Sequence, residues 1–377
     1  MAKYNERELD EKIAEIQFKL KQFGYDVDIH TFPIRNNYRK KLEDYKNLTF
    51  SIDRKLSFNK NSKQYENEDN IEKITNFAWG GEGNAYSNRL VCITNKGNVY
   101  VFNSDKGNII CNFNCGTILN AVAIEQTENQ MFAVGGFDGA IHLMNIVSPN
   151  EQRDNDQGDK GGKKFTGHQG CVSAIQFMST SFMISASFDS VLLLWDLNSQ
   201  GKIFNSYLEH TSEISGLDVN EVNGNIFATG SGDTTAKLWD IREKKACVAT
   251  FQGSDSSVNC VKFLPGSLST LAAGSEDSII RLYDLRTVKE LGSYKQDKND
   301  NNSVNSIGFS KSGSILFSST SENNTISFWS LFGKETPCAK YNYSSNHEAN
   351  SGISRTCINS DKTKIGFIDV DEIVIIK

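Results

Sequence analysis

The chain has 377 residues, long enough for more than one domain, and only four prolines interrupt it. Its 40 basic and 46 acidic side chains leave a net charge of −6, which argues against a general affinity for nucleic acid. No run approaches the roughly 18 apolar residues of a membrane helix, the charged stretch Met1 to Glu8 lacks the apolar centre of a secretory signal, and eight scattered cysteines read as reduced packing residues.

Near the N-terminus, Leu9, Ile13, Ile16, Leu20, Phe23 and Val27 step alternately by four and three residues, the seam of a heptad helix. A helix of about three heptads is marginal alone in water, and a narrow seam suits another helix. Residues 1–30 are therefore predicted to form a coiled coil with a second chain; the alternative is an amphipathic helix lying on the rest of this one. Gly24 and Pro33 limit its length. A basic linker, 31–46, follows, and residues 35–64 hold nine Lys or Arg against three Asp or Glu. That charge suits either an anionic membrane surface or a solvated linker and a charge-blunted edge strand.

Further along, Asn225 to Asp240 reads as two short strands around a tight turn. Ile226 to Thr229 is apolar and ends in a hydroxyl, Gly230 to Asp233 supplies turn residues, and Ala236 to Trp239 is apolar again. The pattern recurs at Phe182 to Asp196 and Thr270 to Asp284, with fainter copies ending at Asn103, Asn145, Ser330 and Lys377. A period of about 40 to 50 residues is that of four-stranded propeller blades. Seven ends predict an all-β, seven-bladed propeller over 47–377. The outermost strand of the last blade must then come from elsewhere, and Asn47 to Phe58 is the strand-like segment available to close the ring. Val147 to Lys164 and Lys295 to Ser303 are polar and read as loops.

Two sets of residues resemble a serine triad: His168, Ser185 and Asp189, and again His210, Thr229 and Asp233. Their repetition predicts structure instead of catalysis. The turn Asp accepts from His, His bonds the strand hydroxyl, and the hydroxyl meets Trp195 or Trp239. In the fifth blade Asp277 remains, Ser254 replaces the His and Ala273 replaces the hydroxyl. No Gly-x-Ser-x-Gly elbow, phosphate loop or zinc spacing accompanies them, so no enzyme activity, cofactor or metal is expected; Cys111 and Cys115 have no second pair. A propeller hydrolase using His168 or His210 is the enzyme alternative.

The Gly-His, turn-Asp and Trp-Asp pattern resembles the WD-repeat propellers, closely in the third to fifth blades. With a heptad helix ahead of the first blade, and with Thr75 to Trp79, Ala236 to Glu243 and Ser306 to Gly313, the chain is similar to the β subunits of heterotrimeric G proteins. The resemblance implies an obligate pair with a γ subunit through Leu9 to Val27, and a membrane position, cytoplasmic at the inner face of the plasma membrane, through the γ lipid. It implies that the propeller's narrow face holds the GDP-bound α subunit and, after its release, effectors downstream of a G-protein-coupled receptor. Carried over position by position, that face would include Lys73 and Asn259, which are kept, and Leu119, Glu213 and Glu276, which are replacements; Ile71 and Tyr100 lie at the side of the first blade. Family aromatics are absent at Thr117 or Ile118, at Cys171 and near Asp369 to Asp371. The alternative binding module is a corepressor or kinase-receptor propeller whose N-terminal helix self-associates.

Overall fold

The computed structural model describes residues 51–57, 72–80, 88–128, 130–146, 162–199, 201–295, 302–310, 312–320, 325–331, 337–343, 356–358, 364–369 and 372–376. The predicted coiled-coil helix with Leu9, Ile13, Ile16, Leu20, Phe23 and Val27, the basic linker and Ile71 lie outside the described residues.

Short apolar segments separated by turn residues form antiparallel strands, here grouped into seven four-stranded sheets. The third sheet is representative: Val172–Phe177, Phe182–Ser187, Leu192–Asp196 and Lys202–Tyr207 run from its inner to its outer edge. Between its second and third strands the chain turns through Ser190 in the left-handed region (φ 63°). Thr234 and Ser278 do the same in the fourth and fifth sheets, whereas Gly97 and Gly139 occupy that position in the first and second. A side chain costs energy there unless its oxygen bonds locally, as Ser190 Oγ does to the Asp189 carbonyl at 2.6 Å.

Neighbouring sheets share their cores. Ile184, Leu192 and Tyr207 of the third sheet pack with Ile214, Phe227 and Trp239 of the fourth. Phe227 and Trp239 stack at 5.8 Å with planes 4° apart. Burying side chains of this size contributes about 2–3 kcal/mol each, so every blade depends on the next for its stability.

Polar latches tie the inner strands around the axis. Thr75 Oγ1 donates to the Leu119 carbonyl at 2.7 Å, and Asn76 Nδ2 to the Asn120 carbonyl at 3.0 Å. Ser173 Oγ donates to the Ile214 carbonyl, Asn259 Nδ2 to Val304 at 3.3 Å, and Ser306 Oγ to Thr356 at 3.1 Å.

The seventh sheet is composite. Ile52–Ser57 pairs with Glu372–Ile376, adding the outermost strand to three from the C-terminal end. Leu56 is buried against the shared core, while Lys55 Nζ donates to the Tyr343 hydroxyl at 2.8 Å and faces Glu372 at 3.5 Å. The alternating pattern that points Leu56 inward leaves Lys55 and Ser57 less buried, as a period-two strand requires.

Candidate functional site

The two triad-like sets assemble as buried networks. In the third blade His168 Nδ1 lies 3.1 Å from Asp189 Oδ2, His168 Nε2 lies 2.7 Å from Ser185 Oγ, and Trp195 Nε1 donates to Ser185 Oγ at 2.8 Å. One proton assignment satisfies every group: Nδ1–H donates to the carboxylate, the serine hydroxyl donates to Nε2, and the indole donates to the serine oxygen. The fourth blade repeats it, with His210 to Asp233 at 2.6 Å, His210 to Thr229 at 2.7 Å and Trp239 to Thr229 at 2.8 Å.

Burial lowers the His168 pKa despite the neighbouring carboxylate. Burial also pushes the Asp189 carboxyl up, but N–H donors of Gln169 and Val191 and the His168 ring outweigh it, leaving it below the usual range. Asp233 is lowered further, since donation from His210, Thr235 and the Thr211 backbone overcomes the same burial. Ser185 and Thr229 are both 0% exposed, and each hydroxyl oxygen already takes an indole proton. In this packing neither oxygen has a path to a substrate carbonyl.

The networks are not uniform around the ring. In the sixth blade Trp329 Nε1 still donates to Ser318 Oγ at 3.0 Å. In the fifth, Tyr283 stands where the tryptophans stand, and Ala273 faces Arg281 across the strand pair. Arg281 reaches back to Asp277, with 2.7 Å between Nη1 and Oδ2, so a guanidinium supplies the cation that faces the turn Asp in place of the ring. Ser254 Oγ lies 3.3 Å from Asp277 Oδ2 and 2.5 Å from Ser275 Oγ. The full His, hydroxyl and Trp set occurs in two blades among the described residues, the two whose sequences encode all its members.

A second repeated bond organises the face on which the inner strands begin. In five consecutive blades the turn residue after the second strand donates its N–H to the carbonyl just ahead of the inner strand. The pairs are Asn95 to Lys73 (3.0 Å), Phe137 to Ile118 (2.9 Å), Phe188 to Cys171 (3.0 Å), Gly232 to Glu213 (2.8 Å) and Glu276 to Ser257 (2.9 Å). Adjacent turns touch, since a Cβ on Gly139 would stand 2.5 Å from the His168 carbonyl and one on Gly97 would stand 2.5 Å from that of Thr117. The result is a continuous arc on one end of the ring.

Of the residues carried over from the resemblance, Lys73, Glu213 and Glu276 are exposed on this arc. Asn259 is half-buried and held by Ser303 and Val304. Tyr100 is half-buried in the first blade, its hydroxyl 3.4 Å from Glu72, and burial pushes that hydroxyl up to about 12. Leu119 is a correction. It is 0% exposed in the core between the first two blades, because the strand's alternation turns Leu119 inward and leaves the preceding Ile118 46% exposed. Phe137 and Phe188, 56% and 47% exposed on the arc, are not among the residues that the resemblance carries over. Their signal was available: an aromatic stands just ahead of the turn Asp in Gly136-Phe137-Asp138 and Ser187-Phe188-Asp189, where the fourth blade has Gly232.

The inner strands surround a channel of about 900 Å³, lined by residues such as Asn76, Ser173, Asn259 and Thr356. Asp218 and Lys262 form an ion pair on its wall, where Asp218 also accepts from the Phe263 N–H at 2.9 Å.

Residues 161–196 match the family model described as WD domain, G-beta repeat, and residues 193–368 match that of nucleolar protein 10-like, N-terminal domain. The guanine nucleotide-binding protein subunit beta of Zea mays is 32% identical over 114 residues, 29% of this chain and 29% of that protein. Its counterpart in Oryza sativa subsp. japonica matches to the same extent, so the chain spans 29% of the length of these two relatives. The guanine nucleotide-binding protein subunit beta of Arabidopsis thaliana is 33% identical over 267 residues, 66% of this chain and 69% of that protein.

Proposed function

The chain belongs to the WD-repeat family of β-propellers, and on that premise we propose that it is a non-enzymatic scaffold of the G-protein β type. The observation that carries the reading is the similarity to the Arabidopsis subunit across 267 residues, well beyond a single repeat. In this reading the heptad seam from Leu9 to Val27 pairs with a small γ chain, whose lipid holds the pair at the inner face of the plasma membrane. The arc bearing Lys73, Glu213 and Glu276 takes a GDP-bound α subunit or, after its release, an effector. A ring whose blades share cores and latches offers a rigid surface, so switching falls to the partner that changes shape with its nucleotide.

The test is affinity capture of the full chain from its own cells at low salt, with and without GDP and aluminium fluoride, followed by mass spectrometry. A small prenylated chain in both samples, and an α subunit lost on activation, is the expected result. Capture of further copies of this chain with no small partner would overturn it in favour of a self-associating scaffold. A separate check replaces Ile13 and Leu20 with Asp; γ pairing should disappear.

A further inference from the structure

The five-blade arc is chemically graded. Lys73 and Lys96 are exposed in the first blade, Ile118, Phe137 and Phe188 in the second and third, and Glu213 and Glu276 in the fourth and fifth. The three apolar side chains are not scattered. Phe137 is bonded through its N–H to Ile118, and the turn that carries it rests on the loop leading into Cys171, the residue to which Phe188 is bonded. Large apolar side chains grouped at exposed turns, fixed by backbone bonds at their own positions, mark a binding surface more than a packing defect. Glu213 accepts from Ser212 and a backbone N–H, and Glu276 from Ser256, with no cation paired to either among the salt bridges described, so their charge remains available to a partner.

We propose that Phe137 and Phe188, with Ile118, are the anchors of a docking site for a partner segment that places large apolar side chains over the second and third blades and Lys or Arg over the fourth and fifth. Complementarity of charge sets the orientation: the acidic blades accept the basic end, and Lys73 and Lys96 repel it. This proposal rests on the reading of the protein as a partner-binding propeller, and it holds whichever protein supplies the segment.

Three short fluorescent peptides test it on the full chain: one with Leu and Trp followed by Lys, a twin with Glu for each Lys, and a twin with Ser for each Leu and Trp. Fluorescence anisotropy should show binding of the first peptide, and weaker binding of both twins by about tenfold or more. The double variant Phe137→Ser with Phe188→Ser should lose about tenfold in affinity for the first peptide. Glu213→Lys with Glu276→Lys should lose a similar factor and gain affinity for the acidic twin, whereas Glu128→Lys with Glu243→Lys, the same charge change away from the arc, should leave it unchanged. All four positions are exposed in the altered pairs, and an unaltered thermal transition verifies folding. No binding of the first peptide, equal binding of its twins, or full affinity in the Phe137 and Phe188 variant overturns the proposal. If affinity capture recovers the γ-like and α-like chains while the peptide pattern fails, only this inference falls. If the peptide pattern holds and those chains are absent, the G-protein reading falls and the docking site stands.

Discussion

The third and fourth blades and the fifth blade solve one problem in two ways. Each must hold a turn carboxylate close to the sheet and must satisfy the polar atoms buried beneath it. The third and fourth do it with a hydrogen-bonded relay, from indole to hydroxyl to imidazole to carboxylate, in which every member has a partner within 3.1 Å. The fifth discards the ring, the hydroxyl and the indole, and brings up Arg281 from the adjacent strand to face Asp277 directly. In the sixth, the described residues include the bond from Trp329 to Ser318. The blades therefore need a satisfied turn and a filled core, and they tolerate different chemistry for each.

The comparison is broken most severely by removing what fills the core. Trp239→Ala should cost about 3–5 kcal/mol in denaturant unfolding, because it opens a cavity and removes the indole donor to the Thr229 oxygen. Next comes Arg281→Met, expected to cost about 3 kcal/mol, since it strands Asp277 with its cation gone. A cost near zero there would mean that Ser254 and the backbone N–H groups of Asp255 and Ile279 suffice for the carboxylate. His210→Ala should cost about 1–3 kcal/mol. A double-mutant cycle of His210 with Thr229 should show coupling of about 1 kcal/mol, while His168 with Thr229, in separate networks, should be additive.

The smallest effect is in pH. Because burial holds the His168 pKa below its ordinary value of 6.5, the unfolded chain binds a proton that the folded one resists. That contribution is complete above 6.5 and is lost as pH falls from 6.5 toward the folded value. Asp189 and Asp233 act in a lower window: their depressed pKa values give stability that is present above the ordinary 3.8 and lost as pH falls through the folded values. Thermal midpoints measured from pH 7 down to 3 should decline in both windows, and His168→Gln should lessen the decline in the upper one, to which half-buried His142 also contributes.

The repeat was legible because its markers are covalent facts of the chain. A hydroxyl at the end of one strand, an Asp in the turn and a Trp ten residues on from the hydroxyl at Ser185 and Thr229 can be counted without coordinates. The number of blades followed from their spacing. What could not be counted is what crosses between strands. Arg281 reads as a surface residue until register sets it opposite Ala273, within reach of Asp277. Leu119 and Ile118 exchange roles by one step of the pleat, which a residue-by-residue transfer does not resolve. Phe137 and Phe188 were visible as letters, but an apolar residue in a turn says nothing of its exposure until the turn is anchored to the neighbouring loop.

The strand pairing that seals the ring also governs how the chain can be made. Ile52 and its partner Ile376 are far apart in the sequence, so the sheet of the seventh blade stays incomplete until both have been made and have found each other. Until they pair, the propeller presents open edges on either side of the gap, and contacts of such long sequence separation form slowly. Closure completes the one sheet that both ends of the described chain share, and the open ring before it is the form with the most unpaired edge to aggregate through.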